Sequence, residues 1–144
     1  MKHGKGIEFY SETGDKYTGE FKDGKPSGFG KYIYKNSTYY IGMFLDGKKH
    51  GTGKLVTSQN QVHIGDYKND KKEGVGCFRW PSGNEYRGEF KDDKRNGKGM
   101  IKWNDGSSYD GEWLDGIQHG KGSMQFSDGR QPKIGRFENN RFED

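Results

Sequence analysis

The sequence predicts an all-β chain, an elongated single-layer antiparallel sheet made of tandem 23-residue β-hairpins. Three observations predict it. The pattern aromatic-x-Gly-x-aromatic recurs at a 23-residue step as Tyr17, Gly19, Phe21; Tyr40, Gly42, Phe44; Tyr86, Gly88, Phe90; and Tyr109, Gly111, Trp113. Between the second and third of these, His63, Gly65 and Tyr67 keep the spacing with His in the first place. A second marker, Gly-x-Gly, holds the same step at Gly28/Gly30, Gly51/Gly53, Gly74/Gly76, Gly97/Gly99 and Gly120/Gly122, and a fixed period of this length is the signature of a stacked architecture. Finally, apolar residues supply only 27% of the chain and the mean hydropathy is −1.26, too little for a thick core, yet aromatics reach 15%, which disordered segments lack.

The elements follow from one repeat. Tyr86, Gly88 and Phe90 alternate with Arg87, Glu89 and Lys91, the period of a half-buried strand. A second strand places Gly97, Gly99, Ile101 and Trp103 against Lys98, Met100 and Lys102. Asp92-Asp93-Lys94-Arg95-Asn96 reads as the loop between them and Asn104-Asp105-Gly106 as the return, both rich in residues that tolerate positive φ. If residues 90 and 97 face each other, Gly88 faces Gly99 and Tyr86 faces Ile101. The strand centres are then bare, and an aromatic ring of a neighbouring unit can lie flat over them. The ends are partial copies: Gly4-Lys5-Gly6 is the second half of a repeat, and Ile134-Gly135-Arg136-Phe137 is a first half, displaced by an insertion near Pro132.

The organisation expected is one array over 1–144, with a half repeat at 1–16, repeats at 17–39, 40–62, 63–85, 86–108 and 109–132, and a half repeat at 133–144. Stacked edge to edge, these units give roughly 12 strands. An isolated hairpin is marginal in water, so each unit depends on its neighbours.

Composition excludes several functions. The net charge is +4 from 25 basic and 21 acidic residues, without blocks of like charge, so nucleic acid is not an expected partner. A lone Cys77 leaves no intrachain disulfide and no Cys-pair zinc site, and neither a membrane-length apolar run nor a signal-peptide core is present. The expectation is a cytoplasmic protein. His3, His50, His63 and His119 stand singly, and Gly47 to Lys54 misses the phosphate-loop spacing. No catalytic residue, metal or cofactor is expected, and the chain reads as a non-enzyme.

The series Tyr-x-Gly-Glu-Phe, turn, Gly-x-Gly, aromatic, Asp-Gly, clearest at Tyr86 to Gly106 and Tyr109 to Gly129, resembles the MORN (membrane occupation and recognition nexus) repeat. The resemblance spans essentially the whole chain. It implies a twisted antiparallel sheet whose aromatic face forms a groove, used in scaffolding, dimerisation or phosphoinositide binding, alone in cytoskeletal and ciliary proteins or ahead of lipid-kinase or methyltransferase domains. Departures are His63 for the first aromatic; Met43, Asp66 and Arg136 for the Glu; and Asp70 and Asp93 where Gly24, Gly47 and Gly116 hold the turn.

Three surfaces are candidate sites. The aromatic face, with Tyr17, Phe21, Tyr40, Phe44, Tyr67, Trp80, Tyr86, Phe90, Trp103, Tyr109 and Trp113, and with Tyr34 and Phe126 beside them, reads both as core and as a groove for a partner helix or extended segment. The opposite face is polar in later units but holds Phe29, Ile33, Ile41, Met43, Leu45, Val56, Ile64 and Val75 early on, a candidate second contact surface for a homodimer or a larger assembly. Lys25, Lys48, Lys71 and Lys94 recur at one turn edge, joined by Lys49, Lys72 and Arg95, and invite an anionic-membrane reading. The aspartates in each turn leave about one excess charge, so membrane binding there would be weak. The leading expectation is a protein-interaction scaffold tied to cytoskeletal or ciliary assemblies. A phosphoinositide-binding module and a regulatory array of a larger enzyme are the alternatives.

Overall fold

The computed structural model describes residues 2–143, so Met1 and Asp144, the outermost residues of the two half repeats, lie outside the described residues. The chain divides into two compact units, one up to Lys71 and one from Lys72. The first holds β1 (Gly4–Tyr10), β2 (Asp15–Lys22), β3 (Lys25–Ile33), β4 (Tyr39–Leu45), β5 (Lys48–Val56) and β6 (Val62–Lys68). The second holds β7 (Lys71–Arg79, except Lys71 itself), β8 (Glu85–Lys91), β9 (Lys94–Lys102), β10 (Ser108–Leu114), β11 (Ile117–Gln125), β12 (Lys133–Glu138) and β13 (Arg141–Phe142).

Within each unit every strand pairs antiparallel with the next along the chain, so the predicted all-β hairpin architecture is the one observed. The thirteenth strand exceeds the expected number because the last half repeat turns back on itself, with Phe137 opposite Phe142. The insertion near Pro132 is absorbed before β12, and Gly135 falls opposite Gly122.

The turns within the hairpins are shorter than the sequence suggested. Asp92 (φ 49°) and Asp93 (φ 71°) alone join β8 to β9, and Lys91 pairs with Lys94. Asp23-Gly24, Asp46-Gly47 and Asp115-Gly116 repeat this geometry with both residues at positive φ, the arrangement whose twist suits a two-residue hairpin. The expected five-residue loop is therefore two residues, and Lys94, Arg95 and Asn96 belong to the strand. The slack is taken up by a bulge. Gly88 faces Gly99 and Tyr86 faces Ile101 as expected, but Phe90 faces Arg95, not Gly97. The same register shift recurs in the β2–β3, β4–β5 and β10–β11 pairs.

Each bulge carries the first glycine of Gly-x-Gly, at φ +93° for Gly28, +87° for Gly97 and +92° for Gly120, a conformation that side chains disfavour. The Glu of Tyr-x-Gly-Glu-Phe closes it. Glu89 accepts the Lys98 backbone N–H at 2.9 Å and Glu112 that of Lys121 at 2.6 Å, while Glu20 accepts that of Phe29. That is the physical role of this Glu: it pairs an N–H that the bulge removes from the ladder.

The core is one ring thick. Tyr17, Tyr40, Tyr86 and Tyr109 are 0% exposed, and each lays its ring over the second Gly of its own hairpin, so that a Cβ on Gly30, Gly53, Gly99 or Gly122 would collide with it. The covering ring thus comes from the same unit, correcting the expectation of a neighbour. Neighbours meet through the second aromatic. In the first unit Phe21, Tyr17, Phe44, Tyr40, Tyr67 and His63 form an unbroken edge-to-face series with centroids 5.0 to 5.2 Å apart. Phe90, Tyr86, Trp113, Tyr109, Phe137 and Phe142 do the same in the second, at 4.9 to 5.4 Å. Such pairs each contribute about 0.5–1.5 kcal/mol beyond area burial, which compensates for the low apolar content.

Candidate functional site

The zipper decides which aromatics a partner could reach. Tyr17, Phe21, Tyr40, Phe44, Tyr67, Tyr86, Phe90, Tyr109 and Trp113 are buried, whereas Trp80 and Trp103 are half-buried. Each tyrosine of the first position also engages its hydroxyl: Tyr17, Tyr40, Tyr86 and Tyr109 donate to the carbonyls of Glu20, Met43, Glu89 and Glu112 at 2.7 to 2.9 Å. Burial pushes all four hydroxyls up to about 12. His63, in the corresponding place of the third repeat, meets the Tyr67 hydroxyl at 2.9 Å through Nδ1.

What remains accessible is a second row, set just after each second strand and again 23 residues apart: Tyr34 in the first unit and Trp80, Trp103 and Phe126 in the second. The return turn fixes each base. Trp80 N–H donates to Asn84 O and Gly83 N–H to Trp80 O, both at 3.0 Å, and Trp103 repeats this with Ser107 and Gly106. Thr57 interrupts the row in the second repeat. Trp80 lies beside Phe78 at 4.6 Å between centroids, and Trp103 and Met124 pack against the buried rings of the same unit. No hydrogen bond of the Trp80 or Trp103 indole N–H is found among the described residues, in contrast to Trp113, whose N–H donates to Gly99 O at 2.9 Å.

Cations lie on this face. Because the turn is only two residues long, the residue after each exposed Lys48, Lys71 or Lys94 points inward. Lys49 places its ammonium 5.8 Å above Tyr34 and Tyr40 and 5.9 Å above Tyr67, and donates to the Tyr34 hydroxyl at 3.2 Å. Arg95 sits 4.7 Å over Trp113 and 5.9 Å over Trp80 and Tyr86, and donates to Gly116 O at 2.8 Å. Burial pulls the Arg95 guanidinium below its usual value, yet an arginine stays charged in proteins. Arg130 covers Phe126 at 4.1 Å. These cation–ring contacts are each worth about 0.5–2 kcal/mol, the higher end where water is excluded.

Two clefts open along the row. One of about 270 Å³ is lined by Lys72, Phe78, Trp80, Phe90, Asp93, Lys94, Arg95 and Gly116. The other, about 470 Å³, includes Asn84, Trp103, Asn104, Asp105, Met124, Phe126 and Arg130. The arrangement offers flat rings, indole donors and fixed cations in a shallow trough. Among the described residues no group of three or more His, Cys, Asp or Glu could hold a metal ion.

The outer lysines separate from the inner ones. Lys25, Lys48, Lys71 and Lys94 are exposed beside acidic turn residues, and no helix among the described residues is long and apolar enough to cross a membrane. The turn aspartates that depart from Gly do work of their own. Asp70 accepts the Lys49 N–H and Asp93 the Lys72 N–H at 2.8 Å, and they stand 3.6 and 3.7 Å from the ammonium groups of the same lysines.

The MORN repeat model matches residues 17–39, 40–60, 63–85, 86–108 and 109–129. The chain belongs to the MORN repeat family. The five matched segments begin at the repeat starts set by Tyr17, Tyr40, His63, Tyr86 and Tyr109, so the MORN period and the hairpin period coincide. None of the curated proteins matches. Among solved structures, the TCP domain of SAS-4 (dCPAP) of Drosophila melanogaster, in complex with a proline-rich motif of Ana2 (dSTIL), is similar at 17% identity and a TM-score of 0.49. The likeness covers 77% of this MORN chain and 61% of that one, less than two thirds of its length.

Proposed function

We propose that the chain is a non-catalytic protein-binding scaffold whose partner, a helix or extended segment, lies along the row Trp80, Trp103 and Phe126 of the second unit. The observation that carries this reading is the half-burial of that row while the rings beneath it are sealed. Aromatic residues with an apolar body and a free donor are the side chains most often found at the energetic centre of interfaces. Arg95 and Arg130, laid on the rings, supply charge without having to be ordered on binding. Membership of a cytoskeletal or ciliary complex in the cytoplasm is the setting that the family resemblance implies. The lysine edge favours no membrane reading, since each exposed lysine neighbours an acidic turn.

Affinity capture from the native cell, comparing the parent with a Trp80→Ala/Trp103→Ala variant, tests the proposal. The variant should keep its β-sheet circular dichroism and lose the partner, and crosslinks in the parent should fall on residues flanking Trp80 and Trp103. Equal capture by a folded variant overturns it.

A further inference from the structure

The face opposite the rings differs sharply between the two units. In the first, one ladder across the strands reads Ile7, Thr18, Lys31, Ile41, Lys54, Ile64, and the adjacent one Phe9, Lys16, Ile33, Tyr39, Val56, Val62. The equivalent ladders of the second unit read Cys77, Arg87, Met100, Asp110, Ser123, Ile134 and Arg79, Glu85, Lys102, Ser108, Gln125. Nothing in the repeat requires this, because the hairpin zipper is built wholly on the other face.

Charge follows the same division. In the second unit Glu85 bonds both Arg79 and Arg87, at 2.7 and 2.6 Å, so two cations of that face are held by one carboxylate within it. On that face of the first unit Glu20 accepts the Phe29 N–H and Asp66 the Thr52 hydroxyl at 3.3 Å, and against these two carboxylates stand Lys5, Lys16, Lys31 and Lys54. Lys16 and Lys31 lie over rings instead, 5.4 Å from Phe9 and 5.0 Å from Tyr39. The result is an apolar face with an excess of positive charge.

It also has a hollow. A concavity of about 610 Å³ is walled by Ile7 and Phe29, floored by Thr18 and the glycine backbone, and rimmed by Lys5, Lys31 and Glu20, the last opposite Lys5. Ile7 and Phe29 are 52% and 56% exposed. A small Thr between two large walls makes a socket for one bulky side chain, and the two lysines, which outnumber Glu20 at its mouth, call for a carboxylate beside that anchor.

We propose that the back face of the first unit docks an acidic protein segment carrying bulky apolar side chains, one of which enters the hollow between Ile7 and Phe29. Charge complementarity selects this occupant. A bilayer surface is planar and cannot fill a socket, and the lysines are interleaved with the apolar residues instead of flanking them. This surface is distinct from the Trp80–Trp103 row and would let the chain join two partners.

The test uses the full chain with a fluorescent synthetic peptide of glutamates and leucines, a lysine-and-leucine peptide of the same pattern, and phosphatidylcholine vesicles containing phosphatidylserine. The acidic peptide should bind with NMR shifts centred on Ile7, Thr18 and Phe29. Lys5→Glu with Lys31→Glu should weaken it by about tenfold or more, since two attractive charges become repulsive. Thr18→Phe, which fills the hollow without changing charge, should do likewise, while Arg87→Glu in the second unit and Trp80→Ala should leave it unchanged. Unfolding midpoints establish that each variant is folded, and the lysine reversals at exposed positions suffice if Thr18→Phe is not. Equal binding of both peptides, indifference to the lysine reversals, shifts confined to the Trp80 region, or vesicle binding without peptide binding would each overturn the proposal.

Discussion

The indole N–H of Trp113 reaches across the boundary between two repeats to the carbonyl of Gly99, 2.9 Å away, while its ring meets Tyr109 of its own repeat and Tyr86 of the one before at right angles. One side chain thereby ties a repeat to its predecessor by hydrogen bond and by packing. Trp113→Ala should destabilise the second unit by about 3–5 kcal/mol, as a large buried ring is lost. Trp113→Phe should cost about 1–2 kcal/mol, the bond to Gly99 and part of the area. Urea unfolding followed by circular dichroism measures both. A Trp113→Phe loss near zero would show that the indole N–H contributes little.

Gly99 itself cannot take a side chain, because a Cβ there would enter the Tyr86 ring. Gly116 is the contrasting case: open space surrounds its missing Cβ, and only its φ of +87° resists substitution. Gly99→Ala should cost about 3 kcal/mol or more, Gly116→Ala about 1–2 kcal/mol. The cycle with Tyr86→Ala decides the cause. If ring and methyl group compete for one space, Gly99→Ala should be nearly free once the ring is gone, a large departure from additivity.

Much of this was open to reading in the sequence because a period of 23 residues exposes it five times over. The ladder Gly88/Gly99, the Tyr86/Ile101 pair and the burial of one aromatic face follow from alternation and spacing alone. The bulge does not, since Lys94-Arg95-Asn96 reads as loop when the turn is taken as five residues, and Gly97 then reads as the first residue of a regular strand. With that turn two residues long, Lys49 and Arg95 move from the solvated edge onto the rings. Sequence parity found Phe29, Ile41 and Val56 on the back face. It did not show Tyr39, Phe9 and Val62 joining them, because only the register aligns those positions across strands.

Met43 occupies the place where Glu20, Glu89 and Glu112 close their bulges, and it merely packs its Cβ 3.2 Å from where a Cβ would lie on Gly51. Restoring the carboxylate should pair the Thr52 backbone N–H as its counterparts pair Phe29, Lys98 and Lys121. Met43→Glu is expected to stabilise the first unit by about 0.5–1.5 kcal/mol, and Glu89→Ala to destabilise the second by about 1–2 kcal/mol. Slowed hydrogen exchange at Thr52 in the first variant and faster exchange at Lys98 in the second are the specific signs. A stability change without either would assign the effect to charge alone.

The four sealed tyrosines set an alkaline limit. Tyr17, Tyr40, Tyr86 and Tyr109 are held at about 12 by burial, against 10.0 for a free phenol. Between those values the folded chain keeps protons that the unfolded chain has released, so unfolding is favoured as pH rises; stability complete below pH 10 is lost progressively toward pH 12. Of the nine tyrosines, Tyr17, Tyr40, Tyr86 and Tyr109 should therefore show phenolate absorbance only as the sheet's circular dichroism collapses. Tyr86→Phe should lose about 1 kcal/mol near neutrality, with its bond to Glu89 O, yet close part of that gap above pH 10 because one raised phenol is gone. Phenolate appearing from all nine in a single step, with the sheet intact, would mean that the rings are not sealed.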